Sequence, residues 1–90
     1  MQIRFLTIKE TGVFLLGFPL KLTPTEKRFL IKIAEDEAIS ADGLLALLPH
    51  HVSRGNITVH INSINKKAYA ISGRKLVVYQ NRHYKINPYM

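Results

Sequence analysis

The chain has no cysteine, and beyond Asp42 it has no acidic residue. The first absence removes any disulfide framework or thiolate zinc site and fits a reducing compartment. The second divides the chain electrically. Residues 1–42 carry six basic and six acidic side chains, whereas residues 43–90 carry seven basic and no acidic ones, so the whole net charge of +7 sits on the second half. His50, His51, His60 and His83 fall there too, and acidification deepens the asymmetry. A long hydrophobic run is also missing. The most apolar early stretch, residues 13–22, is interrupted by Gly17 and Pro19 and is too short to span a bilayer. The N-terminus does not follow the signal-peptide order of basic region, apolar run and small-residue cleavage site, so the expected location is the cytoplasm and no membrane partner is expected.

Chemistry is scarce as well. No nucleophile stands in a base-bearing motif, and the few carboxylates read as helix caps or surface groups. Neither an enzyme nor a cofactor is expected. The adjacent His50 and His51 send their side chains in different directions, and with no cysteine and few carboxylates nothing completes a metal shell. What is present is a single small domain, residues 1–90, with 47% apolar residues for one modest core and a cationic half suited to a polyanion. No internal repeat, linker or low-complexity tract interrupts it.

The opening residues read as strand, with Ile3, Phe5 and Thr7 alternating against Arg4, Leu6 and Ile8. Glu10-Thr11-Gly12 reads as a turn, residues 13–16 as a second strand, Gly17-Phe18 as a tight reversal and residues 19–22 as a third strand with its proline at the start. A small antiparallel sheet is predicted. Thr23-Pro24-Thr25-Glu26 then carries a capping box, with proline at the first helical position, where a missing N–H costs nothing. Phe29, Leu30, Ile33 and Ala34 recur at helical spacing behind it. Ser40 is placed to cap a second helix with Asp42 in its first turn. Leu44, Leu45, Leu47 and Leu48 form that helix's buried side and Pro49 its end, while Gly43 weakens it.

A third helix is predicted over about residues 55–69. At about 100° per residue, Ile57, Ile61, Ile64 and Ala68 share one narrow arc, the core face. The opposite face carries Val59, Asn62, Ser63 and Lys66, flanked by Asn56, Thr58 and Lys67: no acid, and many short hydrogen-bonding groups. His60 lies at the boundary of the core face, suited either to packing against the sheet or to a phosphate. Ser72-Gly73 ends the helix. Residues 76–79 and 84–86 pair across a polar tip of Gln80, Asn81, Arg82 and His83, and Tyr69, Tyr79, Tyr84 and Tyr89 read as packing residues of sheet and hairpin. Asn87-Pro88 ends the ordered part.

Sheet, three helices and a basic terminal hairpin make an α+β chain with the layout of a winged helix-turn-helix, in which the third helix enters the DNA major groove and the hairpin, or wing, reaches along the duplex. Specific residues point the same way. Leu22-Thr23-Pro24-Thr25-Glu26, the segment 40–45, Val59-His60-Ile61-Asn62-Ser63-Ile64-Asn65-Lys66-Lys67 and Tyr84-Lys85-Ile86 together resemble the OmpR/PhoB-type C-terminal domain of response regulators over nearly the whole chain. The resemblance implies sequence-specific binding of double-stranded DNA in transcriptional regulation. It also implies two domains in tandem on a direct repeat, and RNA polymerase contact through the loop after helix two.

On this reading Arg54, Lys66, Lys67 and Arg82 hold phosphates, with His60 available to another. Asn56, Val59, Asn62 and Ser63 face base edges, Val59 able to touch a thymine methyl, and Thr58 and Asn65 complete the DNA-binding set. The chain departs from the family where arginines are usual: Asn62, Ser63 and Asn65 stand in their place, and Gly55 matches the arginine before the helix, with Arg54 displaced by one. Asn pairs bidentately with adenine, so the departure implies weaker or A·T-leaning readout. The wing turn is Asn81-Arg82-His83 in place of a glycine-rich one, and Pro49 stands where an aromatic is usual. The alternative use of such a fold is protein contact, its basic face meeting an acidic partner.

Overall fold

A computed structural model of the chain describes residues 2–48 and 54–88, without the Arg54 side chain. Expectations for Pro49, His50, His51 and Tyr89 lie outside the described residues. The chain forms β1 (Gln2–Ile3), β2 (Leu6–Lys9), β3 (Gly12–Leu15), β4 (Phe18–Leu20), α1 (Pro24–Asp36), β5 (Ile39–Ser40), α2 (Ala41–Leu45), α3 (Arg54–Ser72), β6 (Val77–Gln80) and β7 (His83–Ile86). Among the described residues this is an α+β fold with two antiparallel sheets, one ordered β1-β2-β3-β4 and the other β5-β7-β6. Among the described residues, no helix is long and apolar enough to cross a membrane.

The first sheet differs from the single opening strand expected. Arg4 adopts a left-handed φ of 52°, and the pairing of Ile3 with Leu6 folds the chain back on itself. Leu6 and Ile8 thereby enter the core with Val13, Leu15 and Leu20, whereas Phe5 in the turn stays 54% exposed. Strict alternation cannot reveal a two-residue reversal that keeps inward positions in phase.

The α1 start forms as the motif predicts. Thr23 Oγ1 accepts from the Glu26 N–H at 3.2 Å, the Thr23 N–H donates to Glu26 Oε1 at 2.8 Å, and Pro24 occupies the first helical position. Ser40 caps α2 by accepting from the Gly43 N–H at 3.2 Å. That helix is shorter than the leucine pattern suggests. Only Leu44 is fully buried, while Leu45, Leu47 and Leu48 pack on the core partly exposed. Residues just before it form β5, which pairs Ile39 with Tyr84 and fastens the hairpin to the body of the fold.

Gly43 is a requirement of this packing as well as a weak helix former. A Cβ there would lie 2.6 Å from Cγ1 and 2.9 Å from Cδ1 of Ile39, and Ile39 is itself buried. Phe29, Leu30, Ile33, Leu44, Ile57, Ile64 and Leu76 are all fully enclosed, so α1, α2, α3 and the base of the hairpin share one core. α3 crosses it with Ile57, Ile61, Ile64 and Ala68 inward, as their spacing requires.

Candidate nucleic-acid interface

α3 has three further sides besides its core arc. The side toward α1 is engaged internally. Lys67 Nζ donates to Oε1 of Glu26 at 2.6 Å, and Glu26 is 2% exposed. Burial alone would raise the Glu26 pKa. Hydrogen bonds from the Lys67 ammonium, the Ser63 hydroxyl and the Thr23 amide, together with the Lys67 charge, outweigh it and hold the carboxyl at about 2. His60 packs edge-on against Phe29, ring centroids 5.4 Å apart. Lys67, Ser63 and His60, expected to face DNA, therefore brace α3 against α1. Helical spacing alone cannot foresee this, because Glu26 lies 41 positions away in sequence.

The side toward the hairpin is anchored by Asn65. Its Oδ1 accepts from the Leu76 N–H at 3.0 Å and the Val77 N–H at 2.8 Å, and its Nδ2 donates to the Val77 carbonyl at 2.9 Å. The side-chain amide thus occupies the ladder position a further strand would take beside Val77. Asn65 is a hairpin-fixing residue, a correction to its place among the DNA-binding residues: both ends of its amide are engaged.

The remaining side faces solvent. Asn56, Thr58, Val59, Asn62 and Lys66 are exposed, Val59 to 66%. Arg54 is the first residue of α3; its side chain lies outside the described ones. Every acidic residue precedes position 43, and Glu26, the acid bonded to α3 through Lys67 and Ser63, is buried and ion-paired on the α1 side. Beside this face stands the hairpin. Its two-residue turn places Asn81 at φ 53° and Arg82 at φ 63° between the paired Gln80 and His83, the geometry of a type I′ turn. Arg82 is exposed at the tip, and the His83 ring bonds the Asn81 carbonyl through Nδ1 at 2.8 Å, a contact that requires Nδ1 to carry the proton.

Tyrosines divide in a way that composition does not reveal. Tyr84 packs on the core and meets Tyr79 with ring centroids 4.7 Å apart, yet Tyr79 and Tyr69 are 59% and 60% exposed. Between α3 and β6 runs a groove of about 570 Å³ lined by Thr58, Asn62, Asn65, Lys75, Val77 and Tyr79 among others. Among the described residues, no group of three or more His, Cys, Asp or Glu side chains is gathered that could hold a metal ion. Compared with models of known protein families and with curated proteins, the chain gives no match.

Proposed function

We propose that the chain is a winged helix-turn-helix domain of the OmpR/PhoB type that binds double-stranded DNA in transcriptional regulation, in the cytoplasm. α2 and α3 form the helix-turn-helix and β6–β7 the wing. The observation that carries this reading is the outer face of α3, where Thr58, Val59, Asn62 and Lys66 stand exposed in a cationic half without acids. A major groove admits such a helix, Asn62 offers the donor–acceptor pair that adenine complements, and Val59 offers an apolar contact for a thymine methyl. Lys66 and Arg82 supply phosphate contacts on either side, which position the domain without reading sequence. With Lys67, Ser63, His60 and Asn65 engaged within the fold, sequence readout falls to a short set of α3 residues and leans toward A·T pairs.

Two experiments test this. Binding to duplex DNA is titrated against salt: neutralising about three phosphates, at Arg54, Lys66 and Arg82, gives a log–log slope of about −3, whereas a flat dependence sinks the reading. Selection of duplexes from a random pool then separates sequence recognition from the use of this face for an acidic protein. A DNA reader enriches A·T-bearing sites, and a protein-contact module enriches none.

A further inference from the structure

We infer that the groove between α3 and the outer edge of β6 seats one backbone phosphate of the bound duplex, held by the Lys75 ammonium and the backbone N–H of Tyr79. The inference rests on the DNA-binding reading and adds to it a contact on the flank of the recognition helix, where neither residue was expected to act.

The alternation of the hairpin ladder places the amide. Gln80 and His83 close the two-residue turn, so in an antiparallel ladder they exchange hydrogen bonds and the next pair, Tyr79 and Tyr84, does not. Tyr84 turns its backbone groups the other way, toward Ile39 of β5. Tyr79 turns its own outward, into the groove. Val77, two residues earlier, faces the same way, and Asn65 takes both its N–H and its carbonyl. Among the described residues no side chain does this for Tyr79, so its N–H opens on a cavity lined by Thr58, Asn62 and Lys75. A second depression shares Asn62, Asn65 and Lys75 with the first and continues to Lys66 and Tyr69. The two form a track along α3 with Lys75 common to both, and no carboxylate lines either of them.

Phosphate fits these groups chemically. A backbone N–H and an ammonium that line one groove can bind an anion between them, and charge-assisted bonds of this kind are the stronger ones. An added peptide strand fits less well. With Val77 already occupied by Asn65, β6 offers one outward backbone pair, too little ladder for strand addition.

Duplex binding by the full chain tests this with three variants. Lys75→Ala is expected to weaken binding and make the salt slope shallower by about 1, the loss of one ionic phosphate contact. Tyr79→Pro removes the outward N–H, which an edge strand tolerates because that group is not in the ladder. Tyr79→Ala removes the ring and keeps the N–H. The proline variant is expected to bind about tenfold more weakly than the alanine variant, at an unchanged slope. If the proline variant fails to fold, the Tyr79 amide resonance of the wild-type protein gives the same information by shifting downfield on addition of duplex. Wild-type binding that Lys75→Ala leaves unchanged in affinity and slope overturns the phosphate seat alone. Absence of wild-type duplex binding at low salt overturns the DNA reading and the seat with it. Preference for a polyglutamate peptide over duplex, lost in Lys75→Ala, assigns the groove to an acidic protein strand and also overturns it.

Discussion

Lys67 and Glu26 form a 2.6 Å ion pair between the C-terminal half of α3 and the first turn of α1. The carboxylate is also the second half of the α1 capping box. One buried acid thus fixes where the first helix starts and how the third lies against it. Removing one partner strands the other: Lys67→Met leaves a buried carboxylate without its cation and is expected to cost about 3–5 kcal/mol, whereas Glu26→Gln with Lys67→Met removes both charges and recovers part of that. Denaturant unfolding of the single and double variants measures the coupling. A loss below about 1 kcal/mol in Lys67→Met would mean that the pair behaves as an exposed one.

The same carboxylate sets an acid limit. Its pKa is held near 2 against an ordinary value of 4.5, so its contribution is complete above about pH 4.5 and fades as pH falls toward 2. That contribution is on the order of 3 kcal/mol at neutral pH. Stability measured between pH 6 and pH 2 should fall steeply in the wild type below about pH 4.5 and less steeply in Glu26→Gln. Parallel curves for the two proteins would rule out Glu26 as the dominant group.

Asn62 and Asn65 lie three residues apart on α3, one exposed and the other bonded to the hairpin, and alanine at each separates the proposed reading role from the structural one. Asn65→Ala leaves the amides of Leu76 and Val77 without the acceptor they share, a loss of about 1–3 kcal/mol, with faster amide exchange expected at the base of the hairpin. Asn62 is exposed, so its alanine variant should hold stability within about 0.5 kcal/mol and lose sequence preference in duplex selection. A stable Asn65→Ala protein, or an unfolded Asn62→Ala one, would reverse the assignment.

How much was legible in the sequence follows from the range of each signal. The Thr23–Glu26 box, the Ser40 cap and the Ile57–Ile61–Ile64–Ala68 arc are local, and each formed where its residues predict; the hairpin formed too, with Gln80 and His83 paired in its strands and the tip reduced to Asn81-Arg82. Legibility failed where the partner is distant. Nothing near Lys67 announces Glu26, nothing near Asn65 announces Val77, and Ile39 gives no hint that it will pair with Tyr84. For the candidate site, charge asymmetry pointed to α3 and the hairpin, but helical spacing alone could not tell which polar side chains would be drawn inward by α1 and the hairpin. A polar residue beside a core arc at helical spacing can serve a neighbour as readily as a ligand, and only tertiary contacts decide.

Gly43 reverses a propensity argument. In an isolated helix Gly43→Ala would stabilise by about 1 kcal/mol, but here the new methyl would press on the buried Ile39 side chain at 2.6 Å. Crowding of this kind costs about 1–3 kcal/mol, so a net destabilisation is expected on thermal unfolding, relieved in part by Ile39→Val. A higher melting temperature for Gly43→Ala would show that Ile39 yields without cost.

Arg82 occupies a backbone conformation that disfavours it. At φ 63° in a two-residue turn after Asn81 at φ 53°, a side chain with a Cβ carries about 1–2 kcal/mol of steric cost that glycine does not, and glycine is the residue such a turn prefers. If the guanidinium had no task, Arg82→Gly would improve the protein at no loss. With Arg82 on a phosphate, the substitution is expected to do two opposite things: raise the melting temperature by several degrees, as about 1 kcal/mol does in a domain of this size, and weaken duplex binding while making the salt slope shallower by about 1. Arg82→Lys, which keeps both charge and strain, should retain most of the slope and none of the stabilisation. Thermal unfolding and salt-dependent titration of the three proteins measure both effects, and a stabilised Arg82→Gly variant that binds as well as wild type would remove the hairpin tip from the interface.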